Sequence, residues 1–238
     1  MTTRTAQTSP VVYARVAGLL YLLIIVFGVS SEVVIRFNLI VKGDAAATAA
    51  NILANQGLFR AGFAADLIML LSDVAIAVLF YILLKPVSRV LSMMAAAFRL
   101  TQAAILGFNL LNYYSALLLL NGSEYTSALG PGQSNALAML FLDMHSHGYD
   151  LGLIFFALSI FILGYLVVKS GYFPRLLGYG LVAAAVVYLA GSLTRFLVPA
   201  HASLLGPLYV VPLVAELSFC LWLLVKGMRS QPAEGGAD

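Results

Sequence analysis

Long apolar runs alternate with short polar segments along this chain, and the alternation predicts six membrane-spanning helices. A helix needs about 20 apolar residues to cross the hydrocarbon of a bilayer. Runs of that length cover residues 12–36, 59–84, 91–120, 148–168, 176–197 and 207–228. We number them span 1 to span 6. The pattern therefore predicts an all-α integral membrane bundle of six transmembrane helices.

Two of the segments between the spans carry patterns that predict short additional helices. Residues 37–58 contain the alanine-rich stretch GDAAATAANILANQG, in which Asp44 suits a helix N-cap and Gly57 suits a C-cap. Before span 4, Ser134 or Asn135 is predicted to cap a second short helix that runs through ALAMLFLDM. Both short helices are expected on the extracytoplasmic side.

Composition indicates that much of the apolar surface faces lipid. The chain is 62% hydrophobic and only 10% charged, whereas a soluble domain carries about a quarter charged residues. A soluble core of this size could not bury so much apolar surface, so the lipid bilayer is the expected environment. The sequence has no basic tract with interleaved aromatic residues, and we expect no nucleic-acid partner.

The distribution of lysine and arginine predicts the orientation in the membrane. Spans 2, 4 and 6 end in the basic segments KPVSR, KSGYFPR and KGMR, and Arg4 and Arg15 stand near the start of span 1. Because cytoplasmic loops are enriched in lysine and arginine, both termini are predicted to be cytoplasmic. The expected organisation is a cytoplasmic N-terminal segment at 1–11, a six-helix transmembrane domain at 12–228 and a disordered cytoplasmic tail at 229–238.

Three stretches of the chain resemble a known family. They read ARVAGLLYLLIIVFGV, GDAAATAANILANQGLFRAGFAADLIMLLSDV and GYLVVKSGYFPRLLGYGLVAAAVVYL. Through these stretches the chain is similar, over about residues 10–228, to the bacterial multipass membrane proteins of domain-of-unknown-function family 4386. The resemblance implies a helical bundle in the bacterial inner (plasma) membrane. It implies no established activity and no site residue.

Ionisable residues inside the predicted spans are the candidates for function, because a charge at mid-bilayer costs roughly 3 kcal/mol on insertion scales. Asp73 in span 2 and Arg99 in span 3 are predicted to form an intramembrane ion pair. Asp66 lies seven residues before Asp73 on the same helix face, at the level of Asn112 and Asn109 in span 3. Two interpretations of this polar seam stay open: contacts that hold helices together, or a route for a substrate or for protons.

Most intramembrane charges are biased toward the side opposite the termini. They are predicted to line an outward-facing, water-accessible acidic cavity for a small cationic or proton-coupled solute. The ligand or proton candidates are Glu32, Asp66, Asp150, Arg195 and Glu216. A proton relay needs an acid that can be neutral near physiological pH. Asp66 is the better candidate for that role, because no cation is predicted at its level.

The segment FLDMHSHGYD at residues 141–150 raises the alternative of a metal site for zinc or another divalent ion. Histidine and carboxylate side chains are common ligands of such ions. The candidate ligands are Asp143, His145, His147 and His201. Gly148 is expected to break a helix there, and polar residues beside a tyrosine are typical of the membrane–water interface. The preferred prediction is therefore that no cofactor is bound.

Three classes of function stay open. The first is a membrane protein of unknown activity that binds or moves a small solute. The second is a membrane-embedded enzyme acting at the outer leaflet, and the third is a structural or regulatory membrane component without a ligand. The sequence lacks the His-Glu-x-x-His and Gly-x-Ser-x-Gly patterns, which favours a noncatalytic protein. A homodimer is left open, since six helices make a small transporter.

Overall fold

The computed structural model describes residues 9–122, 126 and 128–228. Within these residues there is no strand, and six helices are long and apolar enough to cross a membrane. They are Pro10–Leu39, Gln56–Leu84, Arg89–Leu120, Pro131–Ser170, Arg175–Leu197 and Pro199–Val225, and they are spans 1 to 6 below. The predicted all-α, six-span architecture is confirmed. Most of the predicted N-terminal segment and the predicted tail lie outside the described residues.

The six spans pack as a closed ring in the order of the sequence. Each span contacts the next one along the chain, and span 6 also packs against span 1. At that closing contact the Cys220 thiol donates to the carbonyl oxygen of Gly18 at 3.4 Å. Gly227 lies against Val11, so the two ends of the described chain meet at one end of the ring. We call this the near end, and the opposite end the far end.

Several span boundaries follow local sequence signals. Span 1 begins with Pro10 at its first position, behind Ser9, whose side chain accepts a hydrogen bond from the N–H of Val11. Ser88 caps span 3 by accepting from the N–H of Leu91. Gly171 ends span 4 in the left-handed conformation, with φ of 69°, which glycine adopts without a steric penalty.

The short helix between spans 1 and 2 is Ala45–Ala54. Its predicted N-cap is confirmed, because Asp44 accepts a hydrogen bond from the N–H of Ala47 at 2.9 Å. The predicted C-cap at Gly57 is wrong. The helix ends at Asn55, whose side chain donates to the carbonyl oxygen of Asn51, and Gly57 already lies inside span 2.

Span 4 is one continuous helix of 40 residues. The predictions of a separate short helix capped by Ser134 or Asn135, and of a break at Gly148, are therefore wrong. The helix begins at Pro131, where the Gln133 side chain accepts from the N–H of Gly130 at 3.1 Å. At about 1.5 Å per residue it is about 60 Å long, roughly twice the hydrocarbon thickness, so it extends beyond the bilayer.

Two spans change helical type along their length. Span 1 is α-helical over Pro10–Val29, π-helical over Ser30–Arg36 and α-helical again over Phe37–Leu39. Span 6 begins as a 3-10 helix, Pro199–Tyr209, and continues as an α-helix, Val210–Val225. π-Helical turns are rare and occur frequently at functional sites. Glu32 and Arg36, which lie in the π segment, are therefore candidates for a functional role.

The loop positions give a direct test of orientation. In a chain whose Cys220 is replaced by serine, we introduce A46C in the short far-end helix or P86C in the near-end loop, both at exposed positions. A membrane-impermeant maleimide added to intact cells should label A46C, and it should label P86C only after lysis, because basic loops stay cytoplasmic. Labelling measured on gels in the reverse pattern would contradict the predicted orientation.

Candidate functional site

Polar side chains from five of the six spans meet in the middle of the ring. We call this group the central cluster; its members are Tyr21, Asp73, Arg99, Gln102, Tyr188 and Glu216. Arg99 is only 1% exposed, and its guanidinium carbon lies 4.9 Å from the centre of the Phe156 ring on span 4. Tyr21 of span 1 and Phe80 of span 2 also lie around this cation, at 5.5 Å and 6.0 Å from it.

The structure brings together Asp73 and Arg99, whose pairing we predicted. Arg99 Nε donates to Asp73 Oδ1 at 2.8 Å, and Arg99 Nη2 lies 2.6 Å from the same oxygen. The Gln102 amide donates to Asp73 Oδ2 at 3.3 Å. Both oxygens of the Asp73 carboxylate thus have partners on span 3, and the pair joins spans 2 and 3 inside the ring.

Glu216 is the second acid of the central cluster. It accepts hydrogen bonds from Tyr188 at 2.6 Å and from Tyr21 at 2.9 Å, so it joins span 6 to spans 5 and 1. Arg99 lies over the Tyr21 ring at 5.5 Å, which links the two halves of the cluster. Glu216 therefore lies among hydrogen-bond donors inside the ring, at a distance from the other candidate ligand residues.

A second group lies toward the far end; we call Glu32, Arg36, Asp66 and His145 the far-end cluster. Arg36 Nε contacts Glu32 at 2.6 Å, and Arg36 Nη1 contacts Asp66 at 2.7 Å. The prediction that Asp66 has no cation at its level is wrong. The π-helical segment turns Arg36, at the predicted end of span 1, into the bundle against Asp66.

The predicted seam between Asp66 and the asparagines of span 3 is also wrong. Asn112 donates to the side chain of Asn109 at 3.0 Å, and Asn109 donates to the backbone oxygen of His145 at 2.7 Å. The asparagines thus join span 3 to span 4. Asn109 reaches span 4 because Gly148 has no side chain and leaves room for the Asn109 amide.

A further ion pair joins spans 4 and 5. Arg195 contacts the carboxylate of Asp150, and it also donates to the Ser146 hydroxyl at 3.0 Å. The Asp150 side chain is buried, while that of Arg195 is 37% exposed. The candidate ligand residues therefore fall into three separate groups, one in the central cluster, one in the far-end cluster and one at this pair.

The cavity beside Asp66 is small. It has a volume of about 10 Å³ and is lined by Asp66, Met69, Leu70, Leu106, Leu110, His145 and Tyr149. Such a volume holds about one water molecule. Glu32, Asp150 and Glu216 do not line it, so it differs from the outward-facing, water-accessible acidic cavity predicted from sequence. A larger groove of about 500 Å³ between spans 5 and 6 is lined almost wholly by apolar side chains.

The candidate metal ligands do not converge. Within the described ranges, no group of three or more His, Cys, Asp and Glu side chains is arranged to hold a metal ion. His145 is buried against Asn109 of span 3, whereas His147 is exposed and lies 2.8 Å from the carbonyl oxygen of Asp143 in its own helix. His201 lies in the 3-10 segment of span 6.

The comparisons with known proteins agree with this architecture. The family described as "Domain of unknown function (DUF4386)" matches residues 16–227. The chain belongs to this family. It is 32% identical over 162 residues to an uncharacterised protein of Archaeoglobus fulgidus, covering 68% of this chain and 81% of that one. No solved structure matches the chain. The protein is therefore an integral membrane protein of unknown activity, and it is similar to an archaeal protein.

Sequence reasoning missed Arg36, Tyr21 and Tyr188 as members of the two clusters. Arg36 was placed at the edge of a span, where a charge is inexpensive. The tyrosines carry no charge, and their position in the spans is equally compatible with packing. The two tyrosines could have been predicted from Glu216, because a buried carboxylate requires hydrogen-bond donors nearby.

Gly148 gives a test of the contact between spans 3 and 4. We expect Gly148→Ala to lower the free energy of unfolding by about 1–3 kcal/mol, because the new methyl group meets the Asn109 amide. The matched control is Gly107→Ala in span 3, which has open space and should be neutral or stabilising by up to about 1 kcal/mol. Thermal unfolding in detergent compares them, and equal effects would contradict the packing.

Proposed function

We propose that the protein binds or moves a small cationic solute at the far-end cluster, which faces the extracytoplasmic side of the plasma membrane. One observation carries the proposal: Arg36 bridges two carboxylates at different depths. The Glu32 side chain is 51% exposed, whereas the Asp66 side chain is 2% exposed. The guanidinium of Arg36 thus occupies the position that a solute cation would take between an entry acid and a buried acid.

The charge balance of the far-end cluster supports a cationic solute. With Glu32 and Asp66 ionised and Arg36 protonated, these three side chains carry a formal charge of about −1. Ionisable groups in a membrane interior usually pair with an opposite charge. A monovalent cation would complete that pairing. The central cluster carries a similar formal excess, but there two tyrosine hydroxyls donate to Glu216.

The helical form of span 1 also supports the proposal. Glu32 and Arg36 both lie in the π-helical segment Ser30–Arg36. We infer that this segment can convert to the α pattern of backbone hydrogen bonds by a local shift of register. Such a shift would move Arg36 away from Asp66 without unfolding the span. The described conformation is then the form closed to solute, in which the Arg36 guanidinium occupies the solute position between Glu32 and Asp66.

A structural role is the second candidate. It is favoured by the fact that all three buried acids in ion pairs, Asp66, Asp73 and Asp150, face arginines on neighbouring spans, so these pairs hold helices together. An enzymatic role has less support, because His145 and His147 point to different partners. The homodimer stays a prediction.

Chemical rescue tests the proposal. We expect Arg36→Ala to lower the Tm by roughly 10 °C, because it leaves a buried carboxylate unpaired. Millimolar guanidinium chloride should restore part of that loss, since the free cation can enter past Glu32 and replace the missing side chain. The control variant is Arg99→Ala, which should not be rescued, because both acids of its cluster, Asp73 and Glu216, are buried and neither offers an exposed entry.

Two further controls define the outcome. Sodium chloride at equal ionic strength should not restore the Tm of Arg36→Ala. The double variant Arg36→Ala with Asp66→Asn should lose the rescue, because its buried acid is gone. If guanidinium raises the Tm of neither Arg36→Ala nor Arg99→Ala, or raises both equally, the far-end cluster is not a cation site and the structural role is favoured.

A further inference from the structure

Two buried polar atoms of the far-end cluster belong to residues that line its small cavity. Asp66 Oδ1 and His145 Nε2 have no hydrogen-bond partner in the part of the chain that the structure describes. Asp66 is 2% exposed and His145 is 5% exposed. Both residues line the same cavity of about 10 Å³. Leaving a buried polar atom unsatisfied costs about 1–3 kcal/mol, so two at one cavity indicate a ligand.

The hydrogen bonds of the two residues define the chemistry of these atoms. His145 Nδ1 lies 3.2 Å from the carbonyl oxygen of Asn109. A carbonyl oxygen only accepts, so Nδ1 carries the hydrogen, and Nε2 of the neutral ring is an acceptor. The other oxygen of Asp66 is engaged by Arg36. Asp66 Oδ1 is therefore an acceptor as well.

Two acceptors cannot bond to each other, so a ligand in this cavity must donate at least two hydrogen bonds. The volume admits one non-hydrogen atom. The remaining lining is apolar except for Tyr149, whose hydroxyl donates to the sulfur of Met69 at 3.8 Å. A metal cation such as Mg²⁺ or Ca²⁺ would need about six oxygen ligands, which this lining does not offer.

We propose that this cavity binds a single water-sized hydrogen-bond donor, which bridges Asp66 Oδ1 and His145 Nε2. The shared chemistry is that of a water molecule or an ammonium ion. The bridge joins span 2 to span 4 and completes a chain of polar contacts from exposed Glu32 through Arg36 and Asp66 to His145 and Asn109. The site stands apart from the guanidinium position, so it does not depend on the proposed solute.

Nitrogen NMR of the full-length protein tests the site. The chain has three histidines, and with ¹⁵N-histidine labelling in lipid nanodiscs His147→Gln and His201→Gln assign the other two. We expect His145 to be the neutral tautomer with hydrogen on Nδ1, and its Nε2 resonance to be shifted upfield of the value for a free acceptor nitrogen. That shift reports a donor in the cavity.

A pair of neighbouring substitutions supplies the control. Leu110→Phe fills the cavity and should return the Nε2 resonance to the free-acceptor position. Leu111→Phe adds the same ring at a side chain that is 56% exposed, and it should leave the resonance unchanged. If Leu110→Phe does not fold, the His145 tautomer and the Nε2 chemical shift of the unmodified chain still show whether a donor occupies the cavity.

Titration with ammonium chloride, against sodium chloride at equal ionic strength, distinguishes the two donors. A saturable change of the His145 resonance identifies ammonium, and a resonance that is shifted but insensitive to ammonium identifies water. Hydrogen on Nε2, either in place of that on Nδ1 or in addition to it, or an Nε2 resonance at the free-acceptor position in the unmodified chain, would overturn the proposal.

Discussion

An arginine buried in a bilayer keeps its charge, and the arrangement of this bundle follows from that constraint. A guanidinium does not lose its proton in proteins, so burial requires an opposite charge within reach. Buried Arg99 meets Asp73 across spans 2 and 3, and buried Arg36 meets Asp66 across spans 1 and 2. Across spans 4 and 5 the acid is the buried partner, since Asp150 meets the partly exposed Arg195. Lipid supplies no hydrophobic drive between helices, so such contacts fix which spans are neighbours.

The two clusters satisfy the constraint in different ways. In the central cluster, both oxygens of the acid of the ion pair have donors from span 3, and aromatic rings surround the cation. In the far-end cluster, one arginine serves an exposed and a buried acid, and one oxygen of Asp66 is left for another donor. The first arrangement is suited to holding the ring together. Arg99 Nη1 and Gln102 Oε1 of the central cluster also lack hydrogen-bond partners among the described residues. What distinguishes the far-end cluster is that its unpaired atoms belong to two residues that line one cavity.

Hydrophobic run length predicted the number of spans, because crossing a bilayer imposes a minimum length that local packing does not alter. The Asp73–Arg99 contact was also accessible from sequence, since a short loop makes spans 2 and 3 antiparallel neighbours and two opposite charges at similar depth have few other partners. Both inferences follow from the thickness of the bilayer and the cost of an unpaired charge in it, and neither requires knowledge of side-chain packing.

The wrong predictions concern side-chain positions, which the length of an apolar run does not determine. The π-helical segment turns Arg36 into the bundle. No pattern of residues in the sequence predicted that change of helical type. Gly148 was expected to end a helix, but its missing side chain serves the close approach of Asn109 from span 3. Glu216 was assigned to a cavity because its tyrosine partners lie far away in sequence, on spans 1 and 5.

A double-mutant cycle on Asp73 and Arg99 tests most directly the claim that paired charges hold the bundle. Reversible unfolding in mixed micelles would compare Asp73→Asn, Arg99→Gln and the double variant. Each single change should cost about 3–5 kcal/mol because it leaves a buried charge unpaired. The double variant should cost clearly less than their sum. Additive losses, or losses no larger than that of Asp143→Asn at an exposed position of span 4, would contradict the account.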